Sequence, residues 1–457
     1  MKHLLLCCLL SVSPFAFGAG PMGGSPPQAS AACRGESEGA ACGFDAPRGR
    51  VEGTCRNVPD GGMACVPAGR MRQPGMTGPG SMQQGSMRQD SGQRLGAPPG
   101  ADIAGDNPDA LRVNSRVPDT HQGSCFDNDG IILCPQRGSP FWGQDAQFEG
   151  ARPAYRDNGD GTVSDLITGL TWQQAHHATR LTEVDAAAAC ASLKLGGHSD
   201  WRLPNIKELF SLADFRGSQG RRAYIDEVFD FHQPDQSVLE GDPFREHNVG
   251  MMGQTWSSTI YTGEHWGRPG VKAAFLFNFL DGHIKQAPVQ GRSKLFYRCV
   301  RGAEWGNNQF EVKGHSVLDR ATGLSWQRAD DGKTRNWQSA LAYCAALRLD
   351  GYDDWRLPNV KELETIVDYR RHAPALDTRY LTMSDPKGWF WSSTTHGDNI
   401  RMADYVCFGA CTSAQGADVH GAGAQRSDPK AGSPRDYPWL GPQQDEVRIS
   451  NYVRCVR

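Results

Sequence analysis

The chain has no apolar run long enough to cross a bilayer, no excess of one charge and no CxxC pair. Each absence removes a class of protein. A transmembrane helix needs about 20 consecutive apolar residues, so an integral membrane protein is not expected. Lys+Arg 48 against Asp+Glu 51 gives a formal charge of -3, too small a field to hold nucleic acid or an anionic membrane. Without CxxC, zinc ribbons and thioredoxin-like redox sites lose their usual spacing. Gly-x-Ser-x-Gly, His-Glu-x-x-His and Gly-rich phosphate loops are missing too, which leaves the common enzyme classes no foothold. The stretch 68–112 has no aromatic residue and is dominated by Gly, Pro, Gln, Ser and Met, so it reads as a disordered tether. Its glycines do not recur every third position, which excludes a collagen helix.

What is present begins with an export signal. "MKHLLLCCLLSVSPFAFGAG" has a basic start, a short apolar run and the small-x-small residues Ala16, Phe17 and Gly18, giving a signal peptide over 1–18. Cys7 and Cys8 lack the small residues that precede a lipid-attachment cysteine. The product is expected in the periplasm, on the cell surface or outside the cell. Twelve of the 14 Cys remain beyond the signal, and an oxidising compartment favours disulfides over metal ligation. Residues 33–67 hold Cys33, Cys42, Cys55 and Cys65 in a module too short for a real core, where two disulfides replace packing. Three pairings are open.

With 457 residues, two or three compact units are expected, and the rest of the chain is a tandem repeat. "DLITGLTWQ" from Asp165 answers "DRATGLSWQ" from Asp319, Cys190 answers Cys344, and "DWRLPNIKEL" from Asp200 answers "DWRLPNVKEL" from Asp354, all 154 residues apart. "WSST" at Trp256 and Trp391 differs by 135, and "RCVR" at Arg298 and Arg454 by 156. Length changes are therefore confined to the middle and late loops.

"TGLTWQ" and "TGLSWQ" read as strands, and "DNGDG" before the first as a hairpin turn. Its alternate positions leave too few side-chain oxygens for a calcium loop. A helix then carries Cys190 or Cys344; Thr182 with Asp185 forms a capping box, while Gly196-Gly197 and Asp350-Gly351 end the two helices. In the repeated phrase, Asn205 with Glu208 and Asn359 with Glu362 have capping-box spacing. Trp201 and Trp355 anchor the helix start in the core, and Arg202 and Arg356 pair with a nearby acid or carbonyl. Every position in the phrase thus has a structural task.

In order, and twice over, "DNGDGTVSDLITGLTWQ", "DWRLPNIKEL", "WSST" and "YRCVRG", led by "VPDTHQGSCFDNDGIILCP" and "GQDAQF", resemble the bacterial Lcl C-terminal domain family over 113–457. The resemblance implies an α+β chain of two tandem C-type-lectin-like domains, 113–302 and 303–457, behind the disulfide-rich module and the linker. It also implies the bridges Cys190–Cys299 and Cys344–Cys455, which join the cysteines placed alike in both copies; Cys125–Cys134 and Cys407–Cys411 follow by elimination. Each long bridge closes a loop of about 110 residues, worth roughly 4 to 5 kcal/mol. The second copy departs from the pattern: it lacks the "DNGDG" turn and the "GQDAQF" lead-in, and it carries a long insertion from Cys407.

Lectin-like domains present their ligand loops after the "WSST" strand. There Trp266, Arg268, Asn278, Asp281 and His283 interleave with apolar residues, and Asn399 and Arg401 take the corresponding place in the second copy. An aromatic face beside amide and charged groups suits a sugar ring; the competing reading for Asn278 and Asp281 is an ordinary strand and turn. Asp418, His420 and Asp428 could bind a metal only if folded together, and a plain polar loop is preferred. No cofactor is expected. The function expected is non-catalytic: an exported ligand-binding or adhesion protein recognising a glycan or a surface or envelope protein. The alternatives are an oxidase of the formylglycine-generating type, which needs free thiols, and a structural envelope or appendage component.

Overall fold

The computed structural model describes residues 31–46, 49–58, 62–67, 107–177, 179–231, 252–441 and 443–457. The signal peptide and residues 68–106 of the linker lie outside the described residues. Two compact units result, divided near residue 82.

In the first unit β1 (Ala41–Ala46), β2 (Gly49–Val58) and β3 (Gly62–Pro67) form an antiparallel meander. Cys33–Cys55 and Cys42–Cys65 bridge it, which resolves the pairing left open by sequence. Buried Cys33, Cys55 and Cys65 are themselves the core, as expected where sulfur links stand in for apolar area.

The second unit holds both repeats. A lead-in carries β4 (Leu111–Arg112), β5 (Cys125–Phe126), β6 (Ile131–Ile132) and β7 (Phe148–Glu149). The first repeat follows with β8 (Tyr155–Asp157), β9 (Thr162–Asp165), β10 (Thr171–Gln173), α1 (Glu183–Ser192), α2 (Ile206–Ser211), β11 (Gln254–Ile260), β12 (Ala273–Asn278), β13 (His283–Pro288) and β14 (Val300–Arg301). The second has β15 (Phe310–Lys313), β16 (Ser316–Asp319), β17 (Ser325–Gln327), α3 (Trp337–Ala346), α4 (Val360–Thr365), β18 (Trp389–Thr395), β19 (Met402–Cys407) and β20 (Gln425–Pro429). Each repeat thus has a hairpin-based sheet (β14-β10-β9-β8, or β15-β16-β17), two short helices and an antiparallel sheet of three strands (β11-β12-β13, or β18-β19-β20). The fold is α+β and mostly strand.

The repeated phrase does what its spacing predicts. Asn205 Oδ1 accepts the Glu208 N–H at 2.9 Å and Glu208 returns to the Asn205 N–H at 2.9 Å; Asn359 and Glu362 repeat this at 2.9 and 3.0 Å. The acid that pairs with the arginine lies inside the phrase itself: Arg202 grips Glu208, and Arg356 grips Glu362, through two hydrogen bonds each. Trp201 and Trp355 are buried, and each indole N–H donates to a carbonyl six residues back, Leu195 and Leu349, at 3.3 Å.

The ends of α1 and α3 differ from expectation. They stop at Ser192 and Ala346, and the glycines belong to the next tight turns, where Leu195 pairs with His198 and Leu349 with Tyr352. Cys190 and Cys344 tie the last helical turn to Cys299 and Cys455, and the chain leaves at once in an extended conformation at Leu193 and Leu347. The Thr182 cap is half a box: Thr182 accepts the Asp185 N–H, but Asp185 returns to the Thr182 hydroxyl. Cys125–Cys134 and Cys407–Cys411 also form, so all six bridges expected from Cys33 onward are present.

The two repeats are joined closely. One apolar core runs from Phe210, Tyr224 and Phe277 of the first to Trp337, Leu363 and Trp391 of the second. Helices α2 and α4 meet in a reciprocal contact: Lys207 Nζ donates to the Thr365 carbonyl at 2.7 Å, and its equivalent Lys361 to the Ser211 carbonyl at 2.9 Å. Ser211 and Thr365 are themselves equivalent, so this is the self-complementary geometry of a two-fold pair inside one chain. Burial lowers both ammonium groups to about 8. The lead-in, counted with the first domain on sequence, reaches the second repeat. Gln122 pairs with the Thr395 backbone at 2.7 and 2.9 Å, Asp145 accepts from Thr394 Oγ1 at 2.6 Å, and the Phe148 ring lies 5.2 Å from the Arg356 guanidinium. The boundary at 302/303 therefore marks a repeat within one compact unit.

Candidate functional site

A cleft of about 890 Å³ lies at the junction of the repeats. Its walls come from the start of α2 (Asn205, Lys207), the end of β11 (Thr259, Ile260), the inter-repeat connection Glu304–Phe310 and the segments after α4 around Tyr369 and Tyr380. Four partly buried aromatic side chains, Trp305, Phe310, Tyr369 and Tyr380, line it, with Phe310 and Tyr380 ring centroids 5.5 Å apart. Between them stand the amides of Asn307, Asn308 and Gln309 and two guanidinium groups.

The charges are arranged asymmetrically. Arg370 and Arg379 are 83% and 70% exposed, while their carboxylate partners Asp368 and Asp377 are both 8% exposed. Arg379, bonded at 2.6 Å, holds the Asp377 carboxyl below its usual range. The acids thus position the arginines, which offer their remaining N–H donors to the cleft mouth. Apolar ring faces beside amide and guanidinium donors suit a polar ligand with apolar patches.

The residues singled out from sequence fall elsewhere, in separate places. Trp266, half-buried at φ 56°, gives its N–H to the Asp418 carbonyl at 3.0 Å, while Arg268 beside it is exposed. Asn278 is fully buried and accepts the Leu280 N–H at 3.0 Å, closing the β12–β13 turn. Asp281 accepts from Lys285 and from the His283 N–H. Burial raises its carboxyl, but Lys285 and His283 outweigh this and hold it well below the usual range. Asn399 accepts the Arg401 N–H at 3.1 Å, and exposed Arg401 stands 3.6 Å from Asp129.

Asp418, His420 and Asp428 do not come together as a metal triad among the described residues. Asp418 bonds the Tyr261 hydroxyl and the N–H groups of Cys411 and Gly421; His420 bonds Asp445 at 2.8 Å; Asp428 accepts from Arg448, Ile449 and Asn451. Each side chain is already engaged in hydrogen bonds within the protein. The sulfurs of Cys33, Cys42 and Cys65 also cluster, but they belong to the two bridges of the first unit.

His283 does meet something unforeseen. Its ring stacks on His396 of the second repeat, with centroids 4.3 Å apart, and His396 Nδ1 lies 3.0 Å from Asp404 Oδ1. Burial works against an imidazolium at His396, but Asp404 and Asp398 outweigh it and carry the group up to about 10. His283 goes the other way: burial, with Arg426 and His396 adding to it, holds it well below its ordinary value. Neither this cluster nor the cleft could be read from one repeat, because both form where the two repeats meet. The one available hint was the pair of aromatic residues in the connection "EWGNNQF".

Among the described residues no helix is long and apolar enough to cross a membrane. No curated protein matches the chain. The sequence profile of the Lcl C-terminal domain matches residues 161–301 and again 315–425, together more than half of the chain. The sequence is therefore a member of the Lcl C-terminal domain family that carries the domain twice in tandem.

Proposed function

We propose that this is an exported, non-catalytic binding protein whose two lectin-like repeats jointly recognise a glycan in the cleft between them. The observation that carries the reading is the cleft itself: about 890 Å³, lined by aromatic rings, amides and two exposed guanidinium groups. Carbohydrates need such a mixture, because C–H faces pack on aromatics while hydroxyls take paired donors and acceptors. The near-neutral chain favours a neutral or weakly acidic saccharide over a dense polyanion. The oxidase alternative loses its thiols, since all twelve cysteines from Cys33 to Cys455 are in disulfides.

The test is a glycan array probed with the mature chain, with Tyr380→Ala and Arg379→Ala beside it. Saturable binding to a defined saccharide class, weakened about tenfold or more in either variant, supports the reading. Silence on the array, or binding that both variants retain in full, refutes it and turns attention to an envelope-protein partner or a structural role.

A further inference from the structure

Away from the cleft, and sharing no lining residue with it, His283, His396 and Asp404 each present one ligand atom within 4.8 Å of the other two. His283 begins β13 of the first repeat; His396 follows β18 and Asp404 lies on β19 of the second. His396 and Asp404 are buried, and Asp404 Oδ2 has no hydrogen-bond partner. Orphaned buried polar atoms are costly and call for an explanation.

The repeats provide an internal control. Strand pairing makes Trp256 equivalent to Trp391, Leu276 to Tyr405 and Lys285 to Arg426. Carried along each strand, His396 corresponds to Tyr261, Asp404 to Phe275 and His283 to Ala424. Tyr261 and Phe275 pack edge to face at 5.6 Å, with the Tyr261 hydroxyl bonded to Asp418. The fold thus fills the mirror position with an aromatic pair and an alanine, so the two imidazoles and the carboxylate are not required by the architecture.

Supporting groups surround them in the manner of an outer shell. Asp281 Oδ1 is 3.6 Å from His283 Nδ1, and Ser427 Oγ is 3.2 Å from His283 Nε2. Asp398 Oδ2 is 3.7 Å from His396 Nε2, and Asp398 is itself fixed by the Gln219 N–H at 2.6 Å and the Tyr224 hydroxyl at 2.8 Å. Carboxylates that orient ligating imidazoles are a recurrent feature of metal sites. His283 is 12% exposed and Asp398 19%, which leaves a route inward for an ion. We infer that His283, His396 and Asp404 bind a divalent transition-metal ion that clasps the first repeat to the second. Two imidazole nitrogens and one carboxylate oxygen suit Zn²⁺ or a neighbouring first-row ion, with the fourth position left to water. They do not suit Ca²⁺, which takes six to eight oxygens.

The mature chain, stripped with a chelator, is titrated with Zn²⁺ and separately with Ca²⁺, and bound metal is counted by elemental analysis after gel filtration. One Zn²⁺ per chain, a higher unfolding midpoint with Zn²⁺ and no stoichiometric Ca²⁺ are expected. His283→Ala, which installs the residue found at the equivalent position, should keep the metal-free midpoint and weaken Zn²⁺ binding by at least about 100-fold. Cobalt added in place of zinc gives a second reading on the unaltered protein, as the visible absorption of a tetrahedral nitrogen and oxygen site. Lack of stoichiometric Zn²⁺, undiminished uptake by His283→Ala, or Ca²⁺ bound equally well overturns the assignment; an imidazolium held only by its carboxylates predicts the first.

Discussion

Replacing Arg356 by Met should cost far more stability than the same change at Arg202, although the two arginines sit in copies of one phrase. Both make two hydrogen bonds of 2.6 to 2.7 Å to a glutamate that is at most 1% exposed. The surroundings differ. Arg356 is 4% exposed beneath the Phe148 ring of the lead-in, whereas Arg202, with no such cover, is 34% exposed. Without Arg356, Glu362 keeps one backbone donor, the Asn359 N–H at 3.0 Å, in a dry site. Without Arg202, Glu208 keeps two, from Asn205 at 2.9 Å and Trp305 at 3.0 Å, and water can reach the vacated side. Breaking a fully buried pair costs about 3 to 5 kcal/mol. Solvent screening at Arg202 brings the other change to about 1 to 2 kcal/mol. Urea unfolding with disulfides intact reads both, as a fall in the midpoint at constant slope. The double variant Arg356→Met with Glu362→Leu should recover part of the loss, because an apolar pair leaves no buried charge unpaired, although the Asn359 N–H then lacks its acceptor. Equal losses at the two sites, or a loss at Arg356 below about 1 kcal/mol, would refute the claim that burial sets the difference.

Two further outcomes follow from the junction. Burial, opposed by Tyr369 and Lys207, raises the Glu364 carboxyl to about 8, so the folded protein retains a proton that the unfolded chain releases near 4.5. Its stabilising contribution is complete below pH 4.5 and is lost as pH rises through about 8. Relative to Glu364→Gln, the wild type should therefore weaken by about 1.4 kcal/mol per pH unit across that window; parallel stability curves from denaturant unfolding at pH 5 to 8 would contradict this. At Gly397 an added Cβ would lie 2.0 Å from the Gly217 carbonyl oxygen of the other repeat, whereas at Gly416, with φ +83°, it would meet nothing within 4 Å. Gly397→Ala should lower the thermal midpoint by the equivalent of about 1 to 3 kcal/mol or more, and Gly416→Ala by about 1 kcal/mol of backbone strain; the reverse ranking would be evidence against a tight inter-repeat contact.

Much of each repeat was legible because its signals are local. The two Asn–Glu capping boxes, the hairpin at "DNGDG" and the cysteines placed alike depend on spacings of a few residues or on the copy itself, and the structure carries them, whereas the Thr182 cap forms only in half. The helix ends were misplaced because a disulfide, not a glycine, decides where α1 and α3 release the chain. The lead-in was assigned to its sequence neighbour, yet Gln122 and Asp145 bond to residues more than 240 positions away. The cleft and the histidine cluster escaped for the same reason. Their members, such as Lys207 with Tyr369 or His283 with Asp404, lie in different copies, and the periodicity of one element carries no information about a surface that only duplication creates.

The reciprocal lysines bear on how such a protein can be cut, shuffled or inherited. A fragment ending near residue 302 would leave Lys207 without Thr365 to receive its ammonium, and one beginning there would strand Lys361 in the same way. Each half is thus the other's solvent. Loss of either gene segment would leave a product with an unmet cation on a bared apolar face, so the duplicated chain behaves as an obligate dimer fused into one polypeptide.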